Sequence, residues 1–249
     1  MENEACCCPA GTYQTGCLVC GQPLTYVTDL ALRAVCVYCG REELTHAFCM
    51  NGHYVCDGCH GKDMPARLEA VCAQSDSRDP VALALALYEL PGLPMHGPEY
   101  HSLVPAVLVT AYGNSAGQKD PAALREALSR GRKIFGGICG THGACGAAIG
   151  VGIAYSVIHG VTPYAVDARG EANKMTALAL TAIGGYGGPR CCKRDAMLAI
   201  ETAKKHFGCY PAEGEETYVC SQFPDNTMCI AGRCPYYPNS VLTNKKPVL

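Results

Sequence analysis

Nineteen of the 249 residues are cysteine, and their spacing is what first points to chemistry. Cys17 and Cys20 make a Cys-x2-Cys-Gly step, Cys36 and Cys39 repeat it fifteen residues on, and Cys49, His53, Cys56 and Cys59 follow within FCMNGHYVCDGCH. Each Cys-x2-Cys-Gly step fits a knuckle, a tight turn in which glycine takes positive φ while backbone N–H groups bond to thiolate. Eight donors predict two tetrahedral zinc sites. Their pairing stays open: Cys17, Cys20, Cys36 and Cys39 hold one ion and the next four the other, or the pairs interleave as a cross-brace. A module this short, with few large apolar side chains, needs the metal to fold, and closed four-ligand sites make that zinc structural.

A second concentration of reactive residues lies in GGICGTHGACGAAIGVGIAYSVIHG, from Gly136 to Gly160. Cys139, His142 and Cys145 sit at three-residue spacing in a glycine-rich turn that feeds an uncharged apolar segment, which reads as a buried helix. Cys145 would fall in its first turn, where the helix dipole and free N–H groups lower a thiol's pKa and favour anions. Cys191 and Cys192, in GGPRCCKR, begin another helix beside Arg190, Lys193 and Arg194. His96, Glu99 and His101, in MHGPEYH, straddle the start of a third. If these helix starts converge, one pocket collects thiolates, imidazoles and a carboxylate, and suits an iron–sulfur cluster, a soft metal or an anionic sulfur-bearing ligand. Cys145, Cys191, Cys192, His96, Glu99 and His101 are then the catalytic candidates. Cys139 and His142 join the cysteines as cofactor ligands. The competing reading is glycine packing with buried, inert thiols.

The elements that must position these groups follow from the rest of the pattern. Residues 1–12, with Cys6, Cys7 and Cys8, read as a flexible leader, residues 13–60 as the zinc module, residues 61–208 as a helical domain and residues 209–249 as an irregular tail. Asp79-Pro80 and Asp120-Pro121 each pair an N-cap with a proline at the first helical position. Helices are expected from residue 80, from about Pro98 to Asn114, from residue 121, through the apolar segment, from Glu171 to Ile183, and from a first turn at Pro189 to Phe207. No period-two alternation occurs after residue 60, so the chain is expected to be mainly α, with small side chains packing the helical domain. The tail carries Cys209, Cys220, Cys229 and Cys234; Cys234-Pro235 echoes the end of a ferredoxin motif without its spacing. Four thiols in so irregular a segment need a reason, and the tail is able to wrap back and lend some of them to the central site.

Composition excludes several classes. A formal net charge of −2 with no basic block argues against a nucleic-acid surface, and the longest apolar run is short of a membrane span and broken by glycines. MENEACCCPAG has no signal-peptide pattern, so a cytoplasmic protein is expected, and in a reducing compartment this cysteine usage means metal, cluster or thiol chemistry, most at home in an anaerobe. Dinucleotide-binding, Walker and serine-hydrolase motifs do not occur, nor does a Cys-x3-Cys-x2-Cys run.

The series CxxCG, CxxCG, GHYVCDGCH, MHGPEYH, GICGTHGACGAAIG, GGPRCCKR and CPYY resembles an uncharacterised family of cysteine-rich proteins from anaerobic bacteria and archaea, from Cys17 onward. Members of that family are in some cases joined to, or encoded beside, radical S-adenosylmethionine proteins. The resemblance implies that Cys139, Cys145, Cys191 and Cys192 with His96, Glu99 and His101 form one site. Two functions follow as expectations: a zinc and iron–sulfur protein acting in sulfur, redox or one-carbon metabolism, or a zinc-stabilised adaptor that delivers metal or sulfur to a partner enzyme.

Overall fold

Four short strands lie in the described N-terminal residues, and they pair in two separate antiparallel ribbons. The computed structural model describes residues 17, 19, 22, 24–26, 32–45, 47–56, 59, 64–211 and 218–240. Strand β1 (Leu24–Tyr26) pairs with β4 (Ala47–Cys49), Leu24 opposite Cys49, and β2 (Leu32–Val35) pairs with β3 (Glu42–Thr45), Val35 opposite Glu42. The expected leader with Cys6, Cys7 and Cys8, and Cys20, lie outside the described residues.

By its internal contacts the chain divides into two compact units, Met1–Gly61 and Lys62–Leu249. The second is helical: α1 (Met64–Gln74), α2 (Pro80–Tyr88), α3 (Glu99–Ser115), α4 (Pro121–Arg132), α5 (Ile138–Thr141), α6 (Gly146–Ile158), α7 (Asp167–Gly184) and α8 (Cys192–His206). All strands among the described residues precede residue 50, so the fold is mainly α. No described helix is long and apolar enough to cross a membrane.

Helix α3 is the core of this unit. Thirteen of its residues are buried, and α1, α2, α4, α6 and α8 all pack against it. Small side chains make this possible where α6 crosses. A Cβ on Gly150 would lie 2.9 Å from Pro105 and 3.1 Å from Val104, and one on Gly146 would lie 2.3 Å from the His101 ring. Pro105 also removes the N–H that would bond to the His101 carbonyl, and Gly131 of α4 approaches that carbonyl so closely that a Cβ would stand 2.5 Å away.

The caps are those the sequence predicts. Asp79 accepts from the N–H of Val81 at 3.0 Å, and Asp120 from those of Ala122 and Ala123 at 2.9 Å. Boundaries differ elsewhere. Helix α7 starts at Asp167 rather than Glu171, and α8 starts at Cys192, so Pro189 lies ahead of the cap instead of in the first turn. Cys191 and Cys145 are themselves N-cap residues, with extended backbone, rather than members of a helical turn.

Among the described residues after α8 the regular structure is two short 3-10 turns, at Phe223–Asp225 and Ala231–Arg233. It is nevertheless tied to the helices. The Tyr236 hydroxyl donates to Glu201 (2.8 Å), the Tyr210 hydroxyl to the Leu108 carbonyl (2.9 Å), and Tyr218 rests its ring edge on Tyr88.

Candidate metal centre

In the N-terminal unit, strand pairing decides which donors meet. The β2–β3 ribbon closes on the Cys36–Cys39 turn, where Gly40 has φ +68° and donates to the Cys36 carbonyl (2.9 Å). The N–H of Val37 reaches the Tyr54 carbonyl (2.9 Å), and that of Cys56 donates to Cys36 Sγ (3.4 Å), which carries the last cysteine pair onto the second. Sγ atoms of Cys36, Cys39, Cys56 and Cys59 lie within 4.8 Å of one another, Cys39 and Cys56 at 3.7 Å. The β1–β4 pairing accompanies the approach of Cys17 to the third group. Cys17, Cys49 and His53 also have donor atoms within 4.8 Å, with Cys49 Sγ 3.8 Å from His53 Nδ1. These two groups interleave along the chain, the cross-brace alternative.

The tetrad's electrostatics fit a cation. Burial works against a thiolate at Cys36, but N–H groups of Cys56, Cys39 and Tyr38 outweigh it and bring the pKa down to about 6. Cys59 is pushed up to about 12 by burial and by the neighbouring thiols. Four thiols that accept one negative charge and resist the next are the situation a bound dication relieves.

The helical unit treats its thiols differently. The helix-start argument predicts lowered pKa values, and the structure overturns it. Burial pushes Cys145 and Cys192 each up to about 11, against the N–H groups of Ala147 and Ala148 at Cys145 and of Gly97 at Cys192, with the Asp195 carboxylate adding to the rise at both. Burial raises Cys191 as well, despite Arg194. Capping dipoles are worth less than the cost of placing a thiolate in a low-dielectric interior.

Cys191 and Cys192, adjacent in sequence, serve different surroundings. Cys192 shares its environment with Cys145, Asp195 and the Gly97 backbone. Cys191 instead faces the returning tail: with Cys220, Cys229 and Cys234 it lines one pocket, walled also by Lys193 and Arg194. The other candidates scatter. His101 donates its Nδ1 proton to the Ile134 carbonyl (3.0 Å), with its ring against Gly146. His96 meets Asn226 Oδ1 through Nε2 (3.3 Å), while its Nδ1 and Glu99 Oε2 are buried without a hydrogen-bond partner. Cys139 is exposed in the four-residue α5, and exposed His142 accepts from the Thr141 hydroxyl or donates to it (2.8 Å). Cys209 keeps company with Tyr210 and is not part of the cavity wall. Sequence reasoning missed Asp195 and Asn226; a carboxylate and an amide one helical turn or less from cysteine were the available signals.

Residues 68–237 match DUF5714, a family of unknown function. The chain belongs to that family. No curated protein and no solved structure matches it. The family span begins inside α1 and ends just after Cys234, so it takes in the helical unit's thiols and the returning tail but none of the eight N-terminal donors. The likeness traced from Cys17 onward is thus narrower as a family domain than the motifs imply.

Proposed function

We propose that this protein binds metal in both units: two structural zinc ions in the N-terminal module, and an iron–sulfur centre in the helical unit that serves sulfur, redox or one-carbon metabolism in the cytoplasm of an anaerobe. The observation that carries the reading is the Cys36, Cys39, Cys56 and Cys59 tetrad, with all four sulfurs within 4.8 Å. Thiolate and imidazole donors favour zinc over magnesium or calcium. Cys20, by its spacing from Cys17, supplies the fourth donor beside Cys49 and His53. In the helical unit Cys145, Cys192, His96, Glu99 and His101 remain the candidates for a small sulfur-bearing or anionic ligand, at or near the N-terminal ends of α3, α6 and α8. The test is element analysis of protein purified without oxygen. Two zinc per chain together with iron and acid-labile sulfide are expected; colourless protein carrying zinc alone after reconstitution rejects the helical-unit half, and protein without zinc rejects the other.

An adaptor reading has its own support. Leu32, Val35, Val37 and Leu44, on the hairpin around the Cys36 knuckle, are 40%, 57%, 45% and 65% exposed. Exposed apolar side chains on a small module, Val35 and Leu44 on one face of the ribbon and Leu32 on the other, suit docking of a partner enzyme, such as a radical S-adenosylmethionine enzyme. Affinity capture from native extract should then recover one enzyme in stable ratio, lost on Val35→Lys; capture of this chain alone counts against it.

A further inference from the structure

We propose that the cavity closed by the tail binds a four-iron, four-sulfur cluster through Cys191, Cys220, Cys229 and Cys234. This rests on the reading of the helical unit as an iron–sulfur protein and names its ligands, which differ from the Cys139, Cys145, Cys191 and Cys192 set suggested by the glycine-rich motifs. One thiol comes from the cap of α8 and three from the tail, and all four line the same pocket.

Charge is the first argument. Lys193 and Arg194 line this cavity and are each only 4% exposed. One buried carboxylate, Asp195, pairs with Arg194 (2.9 Å); Lys193 Nζ is spent on the neutral oxygens of Tyr88 and Gln222, and Glu89 near it is exposed. Arg194 Nη1 is buried with no hydrogen-bond partner. A buried guanidinium N–H and a surplus buried cation are costly unless an anion faces them. Four thiolates on a cubane cluster make a net dianion and bring sulfur acceptors to that wall.

Spacing is the second argument. A single tetrahedral zinc, with bonds of about 2.3 Å, draws its sulfurs to about 3.8 Å from one another. Among the described residues, the groups whose donor atoms all lie within 4.8 Å are the two in the N-terminal module, and the tail thiols are not among them. Thiols that line one pocket without closing on a single point suit a cubane, in which each binds its own iron.

The third argument is that the surroundings are already aimed at sulfur. Asn226, 7% exposed, accepts from the Met228 N–H through Oδ1 (3.0 Å), which turns its amide NH2 towards Cys191 Sγ (3.8 Å). Ala231 holds a left-handed backbone, φ 49°, and its N–H donates to Cys229 Sγ (3.3 Å). N–H donors to cysteine sulfur are how proteins set the potential of such clusters. The turn ahead of Cys191 is shaped for the tail as well, since a Cβ on Gly188 (φ +78°) would stand 2.7 Å from Ile230.

The experiment is anaerobic reconstitution of the full chain with ferrous iron and sulfide, read by bound iron, acid-labile sulfide and the EPR spectrum of the reduced protein. Wild type should bind about four irons per chain. Cys191→Ser, Cys220→Ser, Cys229→Ser and Cys234→Ser should each lose most of that iron while zinc stays constant, and Cys139→Ser, Cys145→Ser and Cys192→Ser should keep it. Asn226→Ala, which leaves every ligand in place, should keep the cluster and lower its reduction potential, a readout that a folding defect would not produce. Loss of iron in the Cys139, Cys145 or Cys192 variants with retention in the tail variants overturns this ligand set while leaving the iron–sulfur reading standing. Wild type that takes up no iron overturns both. An unchanged potential in Asn226→Ala overturns the aimed amide.

Discussion

The two units gather cysteines by opposite means. In the N-terminal module the backbone itself does the gathering: two short ribbons and the turn at Cys36–Cys39 go with seven described donors in two tight groups, and cysteines make up most of the buried apolar residues among those described there. In the helical unit close packing comes first, and thiols sit where helix caps and the tail leave them, Cys145, Cys191 and Cys192 half-buried and raised in pKa. Close-set thiols on turns are a metal site in their own right, whereas thiols in a packed interior become one only where a cavity and uncompensated charge accompany them.

The contrast breaks if the module does not depend on metal. Binding of structural zinc is folding free energy of about 10–16 kcal/mol in small domains. Cys39→Ser or Cys20→Ser, or a strong chelator, should therefore unfold residues 17–59 while the helical circular dichroism is largely kept. Limited proteolysis with element analysis checks this, and comparable loss of helix would show that the units are not independent.

A pH titration of stability sharpens it from the helical side. Cys72 is fully buried and its thiol is pushed up from 9.0 to about 12 by burial. A group raised on folding contributes in full below its unfolded pKa and loses that contribution as pH climbs through the folded value, so the window runs from about pH 9 to 12. The thiol's share of the alkaline loss should be up to ~4 kcal/mol. Urea unfolding across that range should show a shallower decline in Cys72→Ala than in wild type, and an equal decline would mean that the thiol is not held neutral.

Packing itself is tested at Gly146, where an added Cβ would lie 2.3 Å from a His101 ring pinned to the Ile134 carbonyl. Gly146→Ala should cost about 1–3 kcal/mol, a drop of several degrees in the helical unit's melting temperature, with zinc content unchanged. The smallest effect belongs to the α4 cap. Asp120→Ala should cost about 1 kcal/mol by calorimetry, again without touching zinc.

How much of this was legible depended on range. The eight N-terminal donors stand out because ligand spacing is local, as do the caps Asp79 and Asp120, because a cap acts within three residues. Which donors pair was not legible, since it is set by β1 returning to β4 across more than twenty residues. The lowered pKa expected at Cys145 and Cys191 failed because dipole placement is readable from local pattern and burial is not. Cys139 and Cys145 look equivalent in GICGTHGACG, yet Cys139 sits in the exposed short α5 and Cys145 caps a buried helix. The return of Cys220 and Cys234 to α8 depends on tertiary contacts such as Tyr236 with Glu201, which no spacing announces.

That return has a temporal side. Because a chain is made from its N-terminus, α8 and Cys191 emerge before Cys220, Cys229 and Cys234, and folding proceeds in that order. On the ligand set proposed above, the helices that form the cavity floor supply one thiol and its cover the other three, so cofactor loading waits until the tail has been made. A chain truncated after residue 210 should therefore hold its helices and bind no cluster, and in the full chain a bound cluster of that kind should leave only when the tail is peeled away.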